Sequence, residues 1–376
     1  MRLPASFPVQ PRDPATFFAE LDRIRREAEA ATGPEDLAHL RRVEWAGRAL
    51  TVSGFAVAAL GHWAFGAVLI GLGRFARWTM IAHHVSHRAY DRIEGAPSRL
   101  TSKGFARGRR RFIDWLDWIH PAAWHHEHDL RHHPRTGEVE DPDLVERNAD
   151  FLREQNVPDW ARVVVLAAIA LTWKWTYYAP STLLEMRTAE ANRSGTAPYP
   201  LPTRTLGSLR PGTPFMNDVT LTCLLPYVLV QFVLLPAPFA LLGVEVWGSV
   251  LLASLLGELW SNAHAFAVIV PNHAGDDVYR FSERARSREE LLLRQIIGSV
   301  NLTTGTPFVD FMHGWLNYQI EHHLFPHMTM RQLQRIQPRV KALCAEHGVP
   351  YVQESVVRRF GKLVDIMFGR TSMLRA

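Results

Sequence analysis

At 376 residues, with 42 Lys and Arg against 37 Asp and Glu and a formal net charge of +5, the chain has room for one large domain or two ordinary ones. Its two cysteines exclude a disulfide framework, and its mean hydropathy of −0.09 averages long uncharged runs with loops rich in arginine and histidine. Nucleic acid is one conventional partner for arginine patches such as Arg107 to Arg111; beside membrane-spanning segments, anchoring against anionic lipid is the better reading, and no nucleic-acid partner is expected.

Met1 to Pro14 lacks an apolar core of signal-peptide length. Thr16 to Ala31 is charged and amphipathic and predicts a helix ending near Gly33-Pro34. Residues 42–82, built around the uncharged run Ala49 to Gly73, predict a helical hairpin turning at Gly61-His62, with Arg74 and Arg77 snorkelling from its returning arm; one longer helix is the alternative. Phe112 to Trp124, with its tryptophans, and Val163 to Trp173 are short and predict helices lying in a membrane interface or dipping into it. Val219 to Leu242 is uncharged and Val246 to Pro271 follows a break at Gly243-Val244-Glu245, which predicts a second hairpin. Pro226, Pro236 and Pro238 should kink its first member. Glu258, Asn262 and His264 in the second are expensive in lipid and should face protein. Thr329 to His347 has helical spacing of Leu333, Ile336, Val340 and Leu343.

No region is rich in strands. The fold class is therefore an all-α membrane protein of about four transmembrane helices in two hairpins, with a helical cytoplasmic cap. The predicted divisions are an amphipathic N-terminal segment 1–41, a membrane domain 42–350 and a tail 351–376. Neither outer turn carries Lys or Arg, whereas 88–111 and 182–217, with Arg187, Arg193, Arg204 and Arg210, are basic. The positive-inside rule then puts the termini and the histidine-rich segments in the cytoplasm.

Fifteen of the 18 histidines fall in 83–133 and 264–327. They form three clusters, His83-His84-Val85-Ser86-His87, His128-Asp129-Leu130-Arg131-His132-His133 and Gln319-Ile320-Glu321-His322-His323. Two histidines four apart on a helix share a face and can ligate one metal, and His83/His87 and His128/His132 both have that spacing. Three such clusters with almost no cysteine point to a nitrogen-ligated transition-metal centre, with too many imidazoles for one zinc and enough for two metals. Glu127, Asp129, Asp141, Asp276, Asp277 and Glu321 are candidate acceptors for the second ring nitrogens. His39 and His347 read as surface residues and His62 as a turn residue; His120, His125 and His126 read as interfacial or supporting groups rather than ligands.

WHHEHDLRHHPRTGEVEDPD at 124–143 resembles the second histidine box of membrane fatty acid desaturases, LNYQIEHHLFP at 316–326 is similar to their third, and His83 to His87 resembles their first. The likeness covers about residues 45–350. It implies a non-haem di-iron centre with two Fe ions, held by His83, His87, His128, His132, His133, His322 and His323. A further family ligand follows the last membrane helix; His273 is its expected match, and His264, roughly 13 Å deeper along a helix, is the other candidate.

His84 stands where the family often has Asp, and Gln319 where many members have His. Gln is a poor iron ligand, so one coordination position would be open or filled by water; Gln319, His84, His264, Asp277 and Glu321 are candidates for supporting or water-mediated roles. The resemblance implies desaturation of a fatty acyl lipid or acyl thioester with O2. A His-Pro-Gly-Gly haem motif is absent, which implies an external ferredoxin- or cytochrome b5-type electron donor. Hydroxylases, epoxidases and carotenoid oxygenases of the same superfamily are the near alternative, and a membrane metal transporter the distant one.

Overall fold

A computed structural model describes residues 7–376 apart from 204, 206 and 207, so Arg204 and the first six residues of the N-terminal segment lie outside the described residues. Helix α1 spans Pro14–Ala30; the Asp13 side chain accepts from the backbone N–H of Thr16 and satisfies an otherwise unpaired donor at its start. Its apolar face, with Phe17, Leu21 and Ile24, packs on the Met330–His347 helix. That helix is capped by the Thr329 hydroxyl at one end and by left-handed Gly348 at the other, within a residue of the expected bounds. His347, expected at the surface, is buried against Phe17 at 5.5 Å between ring centroids.

The first hairpin forms as expected. Helix α2 spans Pro34–Ala59, the chain turns at Leu60 to His62 with Gly61 at φ 89°, and α3 runs Trp63–Ser86. Small residues set the spacing: a Cβ on Gly54 would lie 2.7–2.9 Å from Ile70 and from the Gly66 carbonyl, so the two backbones meet without a side chain between them. The Val244–Ile269 helix packs on the other side of α3, where Gly71 and Gly257 make a similar approach. Among the described residues, two helices, Trp63–Ser86 and Pro214–Leu242, are long and apolar enough to cross a membrane. The proline-bearing second one is broken into α and π turns, Thr220–Leu224 and Leu229–Leu234 being π, and it ends in a 3-10 turn at Ala237–Leu242.

Arg74 corrects the snorkelling expectation. It is buried at 6 % exposure and donates to Glu258 Oε2 at 3.1 Å, to Gln231 Oε1 at 3.1 Å and to the Ser254 carbonyl at 2.6 Å. Glu258 faces protein as expected and also accepts from Trp118 Nε1 at 2.7 Å, from Asn262 at 2.8 Å and from the Tyr227 hydroxyl. A carboxylate with so many donors is a stable buried partner for a guanidinium.

The two short pieces also differ from expectation. Trp115, Trp118 and Trp124 are buried at 2, 6 and 1 % rather than forming a belt; only Phe112 and Ile113 of that stretch are large apolar groups left open. The apolar helix begins at Asp159 and does not stop at Trp173: Lys174, read as its end, is buried on Asp117 at 2.7 Å, and the helix continues through a π turn, Lys174–Tyr178, and then Ala179–Ser194. Its exposed face, including Trp160, Val163 and Val164, is apolar, while Leu166 and Trp173 turn inward.

Residues 351–376 fold back instead of forming a free tail. Strand β1 (Tyr279–Arg280) pairs in parallel with β4 (Leu374–Arg375), and β2 (Asn301–Leu302) with β3 (Gln353–Glu354). Between β3 and β4, the Val356–Met367 helix buries Arg359, which binds Asp277 and the Ala274 carbonyl. We predict that Gly54→Leu, by forcing α2 from α3, destabilises the protein by roughly 1–3 kcal/mol, read as an earlier thermal transition of the detergent-solubilised chain; an unchanged transition would mean the hairpin has room to relax.

Candidate metal centre

Helix α3 carries the first histidine pair out of the apolar layer. Its last turns switch to π geometry at Ala76–Ala82 before His83–Ser86, and His83 and His87 emerge on one face with ring centroids 4.8 Å apart. The second cluster lies on another π segment, His125–His132. A π-helix closes i to i+5 bonds, which brings His133 beside His128, while the ligating atoms of His128 and His132 also lie within 4.8 Å of each other and of Asp143. His128 and His133 share a nest, with Nε2 atoms 3.3 Å apart, and His132 turns to a second nest. The third cluster opens the short Gln319–Leu324 helix and divides in the same way, His322 to the first nest and His323 to the second.

The ligating atoms of His83, His87, His128, His133 and His322 all lie within 4.8 Å of one another, as do those of His132, His273 and His323. Ring centroids of His133 and His323, one from each nest, are 4.4 Å apart, so the nests adjoin. Within the first, Nε2 of His83 lies 3.0 Å from that of His322 and 3.3 Å from that of His128. Nitrogens about 2.1 Å from a shared ion and about 90° apart around it would be about 3 Å from one another, so the nest has the dimensions of a metal site. Burial, reinforced by neighbouring imidazoles, holds His128, His133, His322 and His323 well below the ordinary imidazole range, which keeps them neutral and ready to ligate.

The second ring nitrogen has an acceptor in some of these imidazoles, whereas Nδ1 of His128, His133 and His322 is buried without a partner. Asp141 Oδ1 lies 2.8 Å from His132 Nδ1, while its carboxylate also accepts from the backbone of Gly137 and Asp143. Burial alone would lower His132, but Asp141 outweighs it and raises the imidazole to about 9. Asp129 accepts from His125 Nδ1 at 2.5 Å, and its other oxygen lies 3.1 Å from His87 Nδ1. His273 Nδ1 meets the Gly298 carbonyl at 3.1 Å. His323 Nδ1 lies 2.9 Å from Gln295 Oε1 and 3.0 Å from Thr136 Oγ1. Such partners fix which nitrogen is free for a metal. Gln295 and Thr136 were missed from sequence; an isolated glutamine on the Arg288–Ile297 helix carries no local signal.

His273 joins the second nest; His264 does not, being stacked on Phe75 at 4.2 Å with Nε2 on the Met312 carbonyl at 2.7 Å. Gln319 stands where a fourth ligand would, its Nε2 2.9 Å from His273 Nε2 and 3.1 Å from His323 Nε2, and its Oε1 is buried without a partner. Turning the amide end for end would aim that oxygen at the same two nitrogens. Three expected supporting residues point elsewhere. Asp277 is bound to Arg359 and Lys362; Glu321 is bound to Asn301 and Tyr351, where it ties its helix to β2, and burial raises it to about 7; His84 is buried with Nδ1 on the Met80 carbonyl. Glu127 faces the Tyr178 hydroxyl at 3.4 Å; burial, with Asp143 and Asp141 nearby, raises it well above the carboxylate range.

An apolar cavity adjoins these imidazoles. It is lined by Trp78, Ile169, Trp173, Phe266 and Met367 together with His83 and His128 from the first nest and His132, His273 and Gln319 from the second.

Comparison with known proteins agrees with this geometry. The fatty acid desaturase family description matches residues 60–355. The chain is 27 % identical over 362 residues to the NADPH-dependent stearoyl-CoA 9-desaturase of Mycobacterium tuberculosis, which covers 93 % of this chain and 78 % of that one. It is 38 % identical over 99 residues to the Acyl-lipid (9-3)-desaturase of Physcomitrium patens, covering 26 % and 18 %. It is 40 % identical over 85 residues to the Delta(6)-fatty-acid desaturase fat-3 of Caenorhabditis elegans, covering 23 % and 18 %. The chain belongs to the fatty acid desaturase family and is an oxidoreductase of that class.

Asp141→Asn should lower metal retention about 10–100-fold, measured as iron per protein after chelator challenge, whereas Asp277→Asn should leave it unchanged. Equal retention in both variants would remove Asp141 from the centre.

Proposed function

We propose that this protein introduces a carbon–carbon double bond into a fatty acyl chain at a non-haem di-iron centre, taking electrons from a separate ferredoxin- or cytochrome b5-type carrier. His83, His87, His128, His133 and His322 would hold one ion and His132, His273 and His323 the other, with Gln319 beside the second. The enzyme is multi-pass, with residues 42–350 as its membrane domain and its termini and histidine boxes in the cytoplasm. The observation that carries the reading is the apolar cavity whose lining includes imidazoles from both nests. A polar substrate would gain nothing from walls of Trp78, Ile169, Trp173 and Phe266, whereas each buried CH2 of an acyl chain contributes about 0.8 kcal/mol.

Bound iron supplies the reduction of O2 that removes hydrogen from unactivated CH2 groups. In balance, two hydrogens leave adjacent carbons and, with two electrons and two protons from outside, O2 becomes two waters. The chain's own groups bind and orient. Trp124 stacks on His128 at 4.5 Å between centroids and fixes the rim where the substrate meets the first nest. Ile169, Trp173 and Phe266 hold the acyl chain so that one C–C bond lies at the imidazole wall, and they exclude water from it. The substrate named for the mycobacterial relative, stearoyl-CoA, makes a long-chain acyl thioester the first one to test.

The test is gas chromatography–mass spectrometry of fatty acids from a bacterial host expressing the protein with an electron carrier, beside a His322→Ala/His323→Ala variant. A new unsaturated acid made only by the intact protein is expected, and an oxygenated acid would replace desaturation by hydroxylation. We further predict that Ile169→Trp, which fills the cavity, cuts long-chain product at least about 10-fold while iron content stays unchanged, the loss corresponding to about 1.4 kcal/mol.

A further inference from the structure

Arg74 and Arg77 lie on the same helix but meet different fates. Arg74 is held within the protein by Glu258, Gln231 and Ser254. Arg77 faces a cleft between α2, α3 and the 99–114 segment, and its guanidinium donates to the Ile113 carbonyl at 2.8 Å without an ion pair of its own. Arg48 and Arg99 line the same cleft. Both bind Glu44, Arg99 at 2.7 and 3.0 Å and Arg48 at 2.8 Å. Asp114, also in the lining, is taken by Arg110 at 2.7 and 2.8 Å. Three guanidinium groups thus line the cleft with two carboxylates, one of which is already paired with Arg110. The other walls are apolar, including Val43, Ile81, Phe105 and Ile113.

Depth gives this excess charge its meaning, on the membrane reading proposed above. Fifteen residues separate Arg77 from His62 at the outer turn, roughly 23 Å at 1.5 Å per residue, against a hydrocarbon layer about 30 Å thick. The cleft therefore lies in the inner part of the layer, on the side of the histidines. A cation without a counter-charge is costly there, and a phosphate diester satisfies a guanidinium fork with two parallel hydrogen bonds. Basic pockets between spanning helices on the cytoplasmic side take lipid head groups in this way.

We propose that the cleft of Arg48, Arg77 and Arg99 binds the phosphate of an anionic phospholipid from the cytoplasmic leaflet, with its glycerol and first methylenes against Val43, Ile81 and Ile113. This site is separate from the acyl cavity, whose lining shares none of these residues.

The experiment uses full-length protein in detergent micelles, with thermal unfolding and native mass spectrometry after adding phosphatidylglycerol, phosphatidylcholine of the same acyl chains, or inorganic phosphate. Phosphatidylglycerol should raise the transition about 3 °C or more beyond phosphatidylcholine and remain bound as a 1:1 adduct. Arg77→Gln and Arg48→Gln should lose that preference, and Arg109→Gln, an exposed arginine outside the cleft, should keep it. If Arg77→Gln does not fold, the partly exposed Arg48→Gln decides. Equal effects of the two lipids, a preference retained in the Arg48 variant, or the full effect from inorganic phosphate alone overturns the proposal. Carbonate-resistant retention of the wild type in membranes is scored on the same cells: protein that washes off overturns the membrane reading as well, whereas retained protein with no lipid preference overturns the head-group site alone.

Discussion

Eight imidazoles packed into one buried region, with several Nε2 atoms about 3 Å apart, impose the constraint on which the rest of the chain depends. Each neutral ring has one lone pair, and in a place poor in water that lone pair needs a donor or a metal. Much of the surrounding structure serves to aim it. Asp141, Asp129, Gln295, Thr136 and the Gly298 carbonyl engage Nδ1 atoms and leave the opposite nitrogens directed inward. The π geometry at Ala76–Ala82 and His125–His132 has the same purpose, because widening the turn rotates histidines out of the register that an α-helix would give them.

The two nests are unequal. Five imidazoles crowd the first, which leaves little room for anything else. The second has three and a carboxamide, and Gln319 both completes its ring of polar atoms and forms part of the cavity wall. On the function proposed, an acyl chain in the cavity would meet imidazoles of both nests, and the less saturated one beside the weakest donor in the set. Such an arrangement would concentrate exchangeable coordination on the substrate side, and the aromatic and aliphatic walls would keep bulk water from competing for it.

The elements most legible in sequence were those governed by local rules. The α2–α3 hairpin, the α1 and Met330–His347 helices and the assignment of Glu258 to the protein interior follow from apolar run length, capping residues and the cost of charge in lipid. All eight proposed ligands came together, His273 in preference to His264, because box motifs carry their own spacing. What was illegible depended on tertiary partners. The pairing of His128 with His133 required knowing that the helix was π. Lys174 ended a helix on paper because its partner, Asp117, is 57 residues away. Asp277 and Glu321 looked like acceptors until Arg359 and Tyr351, from a segment that reads as a tail, claimed them.

The same distinction separates the two arginines of α3. Hydropathy alone treats Arg74 and Arg77 alike, as cations near the end of a spanning segment. One has a buried carboxylate from the Val244–Ile269 helix, which makes it part of the packing between helices. The other has a carbonyl and two further arginines in its cleft. Partners, not position, decide whether a charge in such a helix belongs to the protein or to the bilayer. A protein whose chemistry sits just beyond its apolar layer gains from that division: the inner ion pair fixes how α3 lies against its neighbours, and a lipid phosphate at the outer arginine would fix how deeply α3 sits in the bilayer. Since His83 and His87 stand at the last turn of that helix, both effects would, on the function proposed, bear on where the cavity sits relative to the membrane.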